Sequence, residues 1–324
     1  MVFLCTLALL VIGVVMVNSA GMTVTPVPDG IAGLEAVSPA ATLDTMSIAT
    51  SRPAALLVAS MIGFAVCALL PVPRLAWYAA ALGPRIKSFP FGLFPAVAAI
   101  AAVAGFIVLE DLGTGVLVAS ALCVMLIAAG ARIWQFLIFA APAAVGVFIA
   151  ITTSPYRVQR ILSFLDPFAA PRGSGYHMIQ SMSTVAGGGV AGRGLGHGIQ
   201  KFGYLPEDTT DFLFAVICEE PGLAGAAAVI GLYLVLAWAL VGIIKRQPVP
   251  VLRYFVVGVL ATIMTQAMIN LLVVTGLGPT KGIALPLLSS GGTGWVLTAA
   301  SLGLVCAIDR SVRAHAAIDD TAQA

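Results

Sequence analysis

Charge is what this sequence has least of. Lys, Arg, Asp and Glu make up 9% of 324 residues, where a soluble domain carries about 25%, while 60% are hydrophobic and mean hydropathy is +1.05. A water-soluble globular protein is excluded, and an integral membrane protein is left. Sixteen Lys and Arg stand against fourteen Asp and Glu, so there is no basic excess of the kind that nucleic acid attracts, and no nucleic-acid partner is expected. The five cysteines, Cys5, Cys67, Cys123, Cys218 and Cys306, all lie in apolar stretches and read as small buried hydrophobes rather than disulfide halves. No Cys/His cluster has metal-ligand spacing. No Lys or Arg precedes Arg52, so the apolar start lacks the basic region of a signal peptide and reads as a retained span, with the true start expected upstream.

What the sequence does have is long uncharged runs. A helix needs about 20 apolar residues to cross a bilayer core of roughly 30 Å. Eight stretches qualify: residues 2–17, 53–72, 90–109, 112–131, 133–153, 221–244, 254–275 and 291–308. Lipid offers no partner for an open sheet edge, and these runs are too continuous for a barrel's alternation. The expected fold is therefore all-α: a polytopic membrane bundle of about eight transmembrane helices, as a single domain.

Orientation follows from Lys and Arg near the span ends. With the N-terminus inside, eight spans place Arg74, Arg85, Lys87, Arg132, Lys245, Arg246, Arg253, Arg310 and Arg313 on the cytoplasmic side, nine of the sixteen basic residues. Both termini are expected in the cytoplasm, with 309–324 a cytoplasmic tail. Residues 18–52, rich in Pro, Ser, Thr and Gly, form an outer loop. A large extracytoplasmic loop, 154–211, separates spans five and six.

That loop holds Arg157, Arg160, Arg172, Arg193 and Lys201, a basic outward surface suited either to a lipid-linked phosphate or to plain interfacial anchoring. Its stretch GGGVAGRGLGHG, residues 187–198, packs seven glycines into twelve residues. No Gly-Lys-Ser/Thr ending follows, which excludes a nucleotide loop and leaves a flexible turn. Next, Glu207, Asp208 and Asp211 stand directly before an apolar run. Pro221 is tolerated in a helix's first turn, so residues 221–244 already span the membrane, and 212–218 is surplus apolar chain: a short helix or re-entrant piece with Asp211 at its mouth. A carboxylate at that depth is a site candidate. Glu219 and Glu220 are expected to favour the N-terminus of the following helix. The second irregular segment, residues 276–292, is broken by prolines and glycines, and its one charge, Lys281, is placed to meet a phosphate or Asp211.

The pieces DPFAAPRGSGYHMIQS, GGGVAGRGLGHGIQKFGYLPEDTTDFLFAVICEE and GPTKGIALPLLSSGG together resemble the SEDS family, the FtsW/RodA-type peptidoglycan polymerases, and Pro279-Thr280-Lys281-Gly282 looks closer to the FtsW division branch. The resemblance runs from about residue 90 to 310. It implies a glycosyltransferase of the cell inner membrane that polymerises lipid II on the outer face, beside a class B penicillin-binding protein, other division proteins and membrane lipid. It places the catalytic carboxylate at Asp211 and a family motif over Lys201 to Glu207. Departures are Leu109-Glu110-Asp111 where the family has Gln-Pro-Asp, Thr209 for His, Pro221 for Leu and Ser290 for Tyr; the family's ten spans are eight here.

Lipid II carries its sugar through an α bond and glycan is β-linked, so the resemblance implies one inverting displacement, with a base on the attacking hydroxyl and positive charge on the departing pyrophosphate. Asp211 is the expected base, Arg193, Lys201 and Lys281 the cations, and Glu207 a further substrate-binding residue. No cofactor is evident, although a divalent cation would suit the leaving group. Two rivals stand beside this: a lipid II flippase, which would need polar groups through the bilayer depth where the spans have few, and a non-catalytic scaffold for the penicillin-binding protein.

Overall fold

The computed structural model describes residues 1–20, 51–69, 112–131, 133–200, 204–289 and 293–323. Ten α-helices and one short 3-10 turn lie among the described residues, with no strand. They are α1 (Val2–Ala20), α2 (Arg52–Ala68), α3 (Leu112–Ala128), α4 (Ile133–Thr152), α5 (Pro155–Leu165), α6 (Tyr176–Gly188), α7 (Leu213–Glu219), α8 (Gly222–Arg246), α9 (Pro250–Val274) and α10 (Thr293–Gln323). Seven of the eight expected spans coincide with helices, and the eighth, residues 90–109, lies outside the described residues, as do most of the 18–52 loop and the departures at 109–111 and 290. Among the described residues, four helical stretches are long and apolar enough to cross a membrane: Val2–Ala20, Gly222–Arg246, Pro250–Val274 and Gly294–Ala314. A bent pair, Phe136–Thr152 with Pro155–Leu165, makes a fifth if counted as one span.

The helices exist because uncharged chain in lipid must satisfy its peptide groups within its own segment. Their ends follow local chemistry. Pro155 and Pro250 occupy first-turn positions, where the missing N–H is not needed, and α8 ends on Lys245 and Arg246, which complement its negative end. The chain turns by 97° between α4 and α5.

The large loop is more structured than the sequence reading allowed. Residues 154–211, expected only as a large outer loop, contain α5 and α6. At the other end, α10 runs unbroken through the stretch read as a tail, to Gln323.

Close crossings hold the bundle. A Cβ on Gly303 of α10 would sit 2.1 Å from the carbonyl oxygen of Phe64 in α2. A Cβ on Gly13 of α1 would sit 2.7 Å from that of Leu288. In lipid, where apolar burial adds little to helix association, such backbone approach is a main source of packing energy. α1 packs one face against the bundle, with Leu9 and Leu10 fully buried and Leu4 and Val11 exposed on the other.

Gly303→Val tests this packing. Overfilling costs about 1–3 kcal/mol, so the melting temperature in detergent should fall by about 5 °C. Gly231→Ala, with open space around its Cβ position, should leave it unchanged or raise it.

Candidate active site

Asp211 stands two residues before α7, on a tight turn. Glu207 adopts a left-handed conformation (φ 55°), and its carbonyl accepts the N–H groups of Thr210 at 3.2 Å and Phe212 at 3.1 Å. The Thr210 hydroxyl donates to the Glu207 carboxylate at 2.8 Å. This turn sets Glu207 and Asp211 on one side, facing the same cavity.

The turn is pinned from α9. The Asn270 side-chain amide, 2% exposed, donates to the carbonyl of Asp211 and to that of Ile283, both at 2.7 Å. One turn earlier, Gln266 donates to Ala284 at 2.8 Å. These bonds draw the 276–289 segment under Asp211, so closely that a Cβ on Gly282 would lie 2.7 Å from Oδ2 of the carboxylate. The residue before it, Lys281, extends over α3 and fills the space where Gly113 would carry a Cβ.

The third wall comes from the large loop. Arg160 of α5 donates to the carbonyl of Thr280 at 3.1 Å, and its guanidinium lies 4.5 Å from the Tyr156 ring centre. His177 of α6 stacks on Phe212, centroids 6.2 Å apart. Together Tyr156, Arg160, His177, Glu207, Asp211 and Lys281 bound a cavity of about 300 Å³.

Burial, and then the Glu207 carboxylate, push the Asp211 carboxyl up to about 6, with Arg160 opposing them. Burial and Arg160 push His177 the other way, below its ordinary value, against a smaller pull from Glu207. At neutral pH the cavity thus presents a largely ionised but unusually basic carboxylate beside a neutral imidazole. That pairing can accept a proton from a hydroxyl while Arg160 and Lys281 hold negative charge.

Of the residues expected at the site, Asp211, Glu207 and Lys281 meet in this cavity. Lys201 lies outside the described residues. Arg193 lies elsewhere: its Nε is 3.3 Å from the Glu219 carboxylate, and it is absent from the cavity wall. Glu219 and Glu220 depart from the role expected of them. They close the C-terminal end of α7, 1% and 0% exposed, and their carboxylates accept backbone N–H groups from the glycine-rich stretch: Ile199 at 2.9 Å and Gln200 at 3.4 Å on Glu219, Gly196 at 3.1 Å and Gly198 at 3.3 Å on Glu220. The Ser19 hydroxyl of α1 donates to Glu220 at 2.6 Å. That stretch is therefore no flexible turn. Gly192 (φ 74°) sits where a Cβ would fall 2.0 Å from the Glu220 carbonyl.

His177 and Asn270 were not expected at the site, and of the loop's basic residues it is Arg160, rather than Arg193, that lines the cavity. Tyr156 and Arg160, one helical turn apart, carried a faint signal for a cation–π pair; Asn270 was visible only as a lone amide in an apolar span. Among the described residues, no three His, Cys, Asp or Glu side chains gather to hold a metal ion.

The arrangement is that of an all-helical integral membrane protein, and comparison gives its class. Residues 63–314 match the model of the FtsW/RodA/SpoVE family, cell cycle proteins. The chain belongs to that family. It is 39% identical over 230 residues to stage V sporulation protein E of Bacillus subtilis, covering 71% of this chain and 63% of that one. It is 41% identical over 231 residues to a probable peptidoglycan glycosyltransferase FtsW of Nitrosococcus halophilus, covering 69% and 58%. The chain thus spans between half and two thirds of the length of the curated relatives it matches. A solved chain from work on the structural coordination of polymerization and crosslinking by a peptidoglycan synthase complex shares the fold, with TM-score 0.73 at 23% identity over 96% of this chain and 97% of that chain.

A raised carboxyl pKa is a stability statement. Asp211 favours its protonated form in the fold, so it costs nothing well below its ordinary value of 3.8, destabilises the protein progressively as pH rises from there, and does so in full above about 6. Asp211→Asn should therefore be more stable than the parent at pH 8 by about 1 kcal/mol, a figure reduced for the group's partial exposure, with the difference vanishing by about pH 3. Melting both proteins in detergent at the two pH values checks this.

Proposed function

We propose that the protein is a peptidoglycan glycosyltransferase that polymerises lipid II into glycan strands during cell division. The observation that carries this reading is the cavity in which Asp211, raised to about 6, faces Arg160 and Lys281. General-base catalysis works best with a pKa near the working pH, and a departing pyrophosphate needs fixed positive charge. The naming of the FtsW relative as a probable peptidoglycan glycosyltransferase supports the same chemistry.

In this mechanism the acceptor sugar's hydroxyl lies against Asp211. The carboxylate takes its proton as the oxygen attacks the anomeric carbon of the lipid-linked donor from the face opposite the leaving group. One C–O bond forms, the bond to pyrophosphate breaks, and configuration inverts. Arg160 and Lys281 neutralise the charge that develops on pyrophosphate, a task Lys201 would share. Glu207 keeps the Asp211 carboxylate basic by like-charge repulsion, and neutral His177 backs it through Phe212. Arg193 serves by holding the glycine-rich stretch to Glu219.

The protein sits in the inner membrane with both termini in the cytoplasm, so that the Asp211 cavity opens on the outer face. Residues 154–211 form the large extracytoplasmic loop, and 309–324, which include the end of α10, the cytoplasmic tail. Its partner is a class B penicillin-binding protein that crosslinks the new strands, a reading supported by the fold shared with a chain of a synthase complex.

The test is glycan length made from labelled lipid II by the purified complex. Asp211→Asn should lower polymerisation by roughly 10²- to 10⁴-fold while insertion and partner binding persist. If it polymerises at the parental rate, the carboxylate is not the base. A flippase or a scaffold would lengthen no chains in this assay.

The pH profile gives an independent check. Activity should be lost on the acid side with a midpoint near 6 as Asp211 takes up its proton. Glu207→Gln removes a raising charge, so that midpoint should move to lower pH.

A further inference from the structure

One ring in the Asp211 cavity is held by its faces and bare at its polar edge. His177 is the second residue of α6, and the start of that helix is fixed on three sides. A Cβ on Gly175, just before it, would lie 2.0 Å from the Pro167 carbonyl oxygen, so the chain passes there with no room for a side chain. The Tyr176 hydroxyl donates to the carbonyl of Tyr204 at 2.8 Å, which ties α6 to the segment leading into the Glu207 turn. On the inner face Met178 is 1% exposed, and the buried Ser181 donates to Val274 of α9 at 2.7 Å.

The His177 imidazole stands off this buried face and is exposed. It lies 25° from parallel to the Phe212 ring and edge-on to that of Tyr176, centroids 6.4 Å apart. Neither ring nitrogen has a hydrogen-bond partner among the described residues. Phe212 is buried and directly follows Asp211, so the ring it supports borders the carboxylate on the cavity wall. Burial and the Arg160 charge keep that ring neutral against the smaller pull of Glu207, and a neutral imidazole offers one donor and one acceptor. Packing on Phe212 alone would need no nitrogen. The negative groups of a substrate already have Arg160 and Lys281 in this cavity. A fixed, uncharged donor and acceptor suits what those cations do not, the hydroxyl groups of a sugar, each of which both gives and takes a hydrogen bond.

We infer that His177 binds the acceptor sugar of lipid II, hydrogen-bonding it beside the hydroxyl that gives its proton to Asp211. This rests on the glycosyltransferase reading above and divides the cavity between its two ligands: the imidazole takes the acceptor, and Arg160 and Lys281 take the pyrophosphate. The contacts of Gly175, Tyr176 and Phe212 set the ring in place before the sugar arrives, so binding does not have to order it.

The test measures KM and kcat on labelled lipid II with the purified complex. His177→Phe keeps the stack on Phe212 and removes both nitrogens. It should raise KM by about 3- to 10-fold, the effect of one hydrogen bond between neutral groups, with kcat within about twofold. His177→Gln restores a neutral donor and acceptor and should return KM to within about twofold of the parent. Binding of fluorescent lipid II to the full chain carrying Asp211→Asn, with and without His177→Phe, should give the same ratio of dissociation constants without any turnover. Inorganic pyrophosphate should inhibit the parent and His177→Phe alike, and Lys281→Ala less. A parental KM in His177→Phe would show that the ring only packs. A Gln variant as weak as the Phe variant would show that no donor and acceptor are used, and an equal loss of pyrophosphate inhibition in His177→Phe would place the ring at the leaving group. Each of these results, in a complex whose parent polymerises, overturns the inference alone. A parent that makes no glycan overturns the glycosyltransferase reading, and the role of His177 with it.

Discussion

An unpaired peptide group inside a membrane protein costs several kcal/mol, and this chain runs two long non-helical stretches, one before α7 and one after α9, among its spanning helices. Everything about the site follows from how those peptide groups are satisfied. Glu219 and Glu220 take N–H groups from residues 196 to 200. Gln266 and Asn270 give hydrogen to the carbonyls of Ala284, Ile283 and Asp211. Ser181 donates to Val274, Tyr233 to Pro286 and Trp295 to Ser289. Side chains on helices thus replace the ladder that the irregular backbone lacks. Asn270 commits both donors to this and leaves its own Oδ1 unpaired among the described residues, a cost of about 1–3 kcal/mol that the two carbonyls offset.

The same constraint produces the electrostatics. Drawing the 276–289 segment under the Glu207–Phe212 turn takes water from one side of the Asp211 carboxyl, and desolvation is the largest cause of its raised pKa. It also brings Lys281 into the cavity that Arg160 enters from α5. Charges fixed in place in this way need no rearrangement to meet an anionic ligand, which is where they outperform water.

The fold was largely legible because membrane helices announce themselves by uninterrupted apolar length, and helix boundaries for α1, α3 and α4 fell within a few residues of the expected ones. Short amphipathic pieces were less legible. α5 carries Arg157 and Arg160 within eleven residues, so its charges masked its period. Asp211, Glu207 and Lys281 were visible as isolated charges beside apolar runs. His177 and Asn270 were not, and nothing singled out Arg160 among the loop's cations, since these roles arise from contacts such as that between Arg160 and Thr280, 120 positions apart. Arg193 and Glu219 misled for a related reason: opposite charges 26 residues apart gave no sign that they pair.

The chain holds three carboxylates around α7, and their surroundings sort them. Glu219 and Glu220 are more buried than Asp211, and burial alone would make them the costlier charges. Their oxygens, however, are occupied by four backbone N–H groups, a guanidinium and a serine hydroxyl, so they are committed to holding the glycine-rich stretch. Asp211 has its carbonyl, not its carboxylate, tied to Asn270. Its side chain is left facing the cavity, with burial and Glu207 raising its affinity for a proton. A carboxylate held by its backbone, with oxygens that accept no hydrogen bond among the described residues, is the one arrangement of the three suited to act as a base, and it is reached at the expense of stability above pH 6.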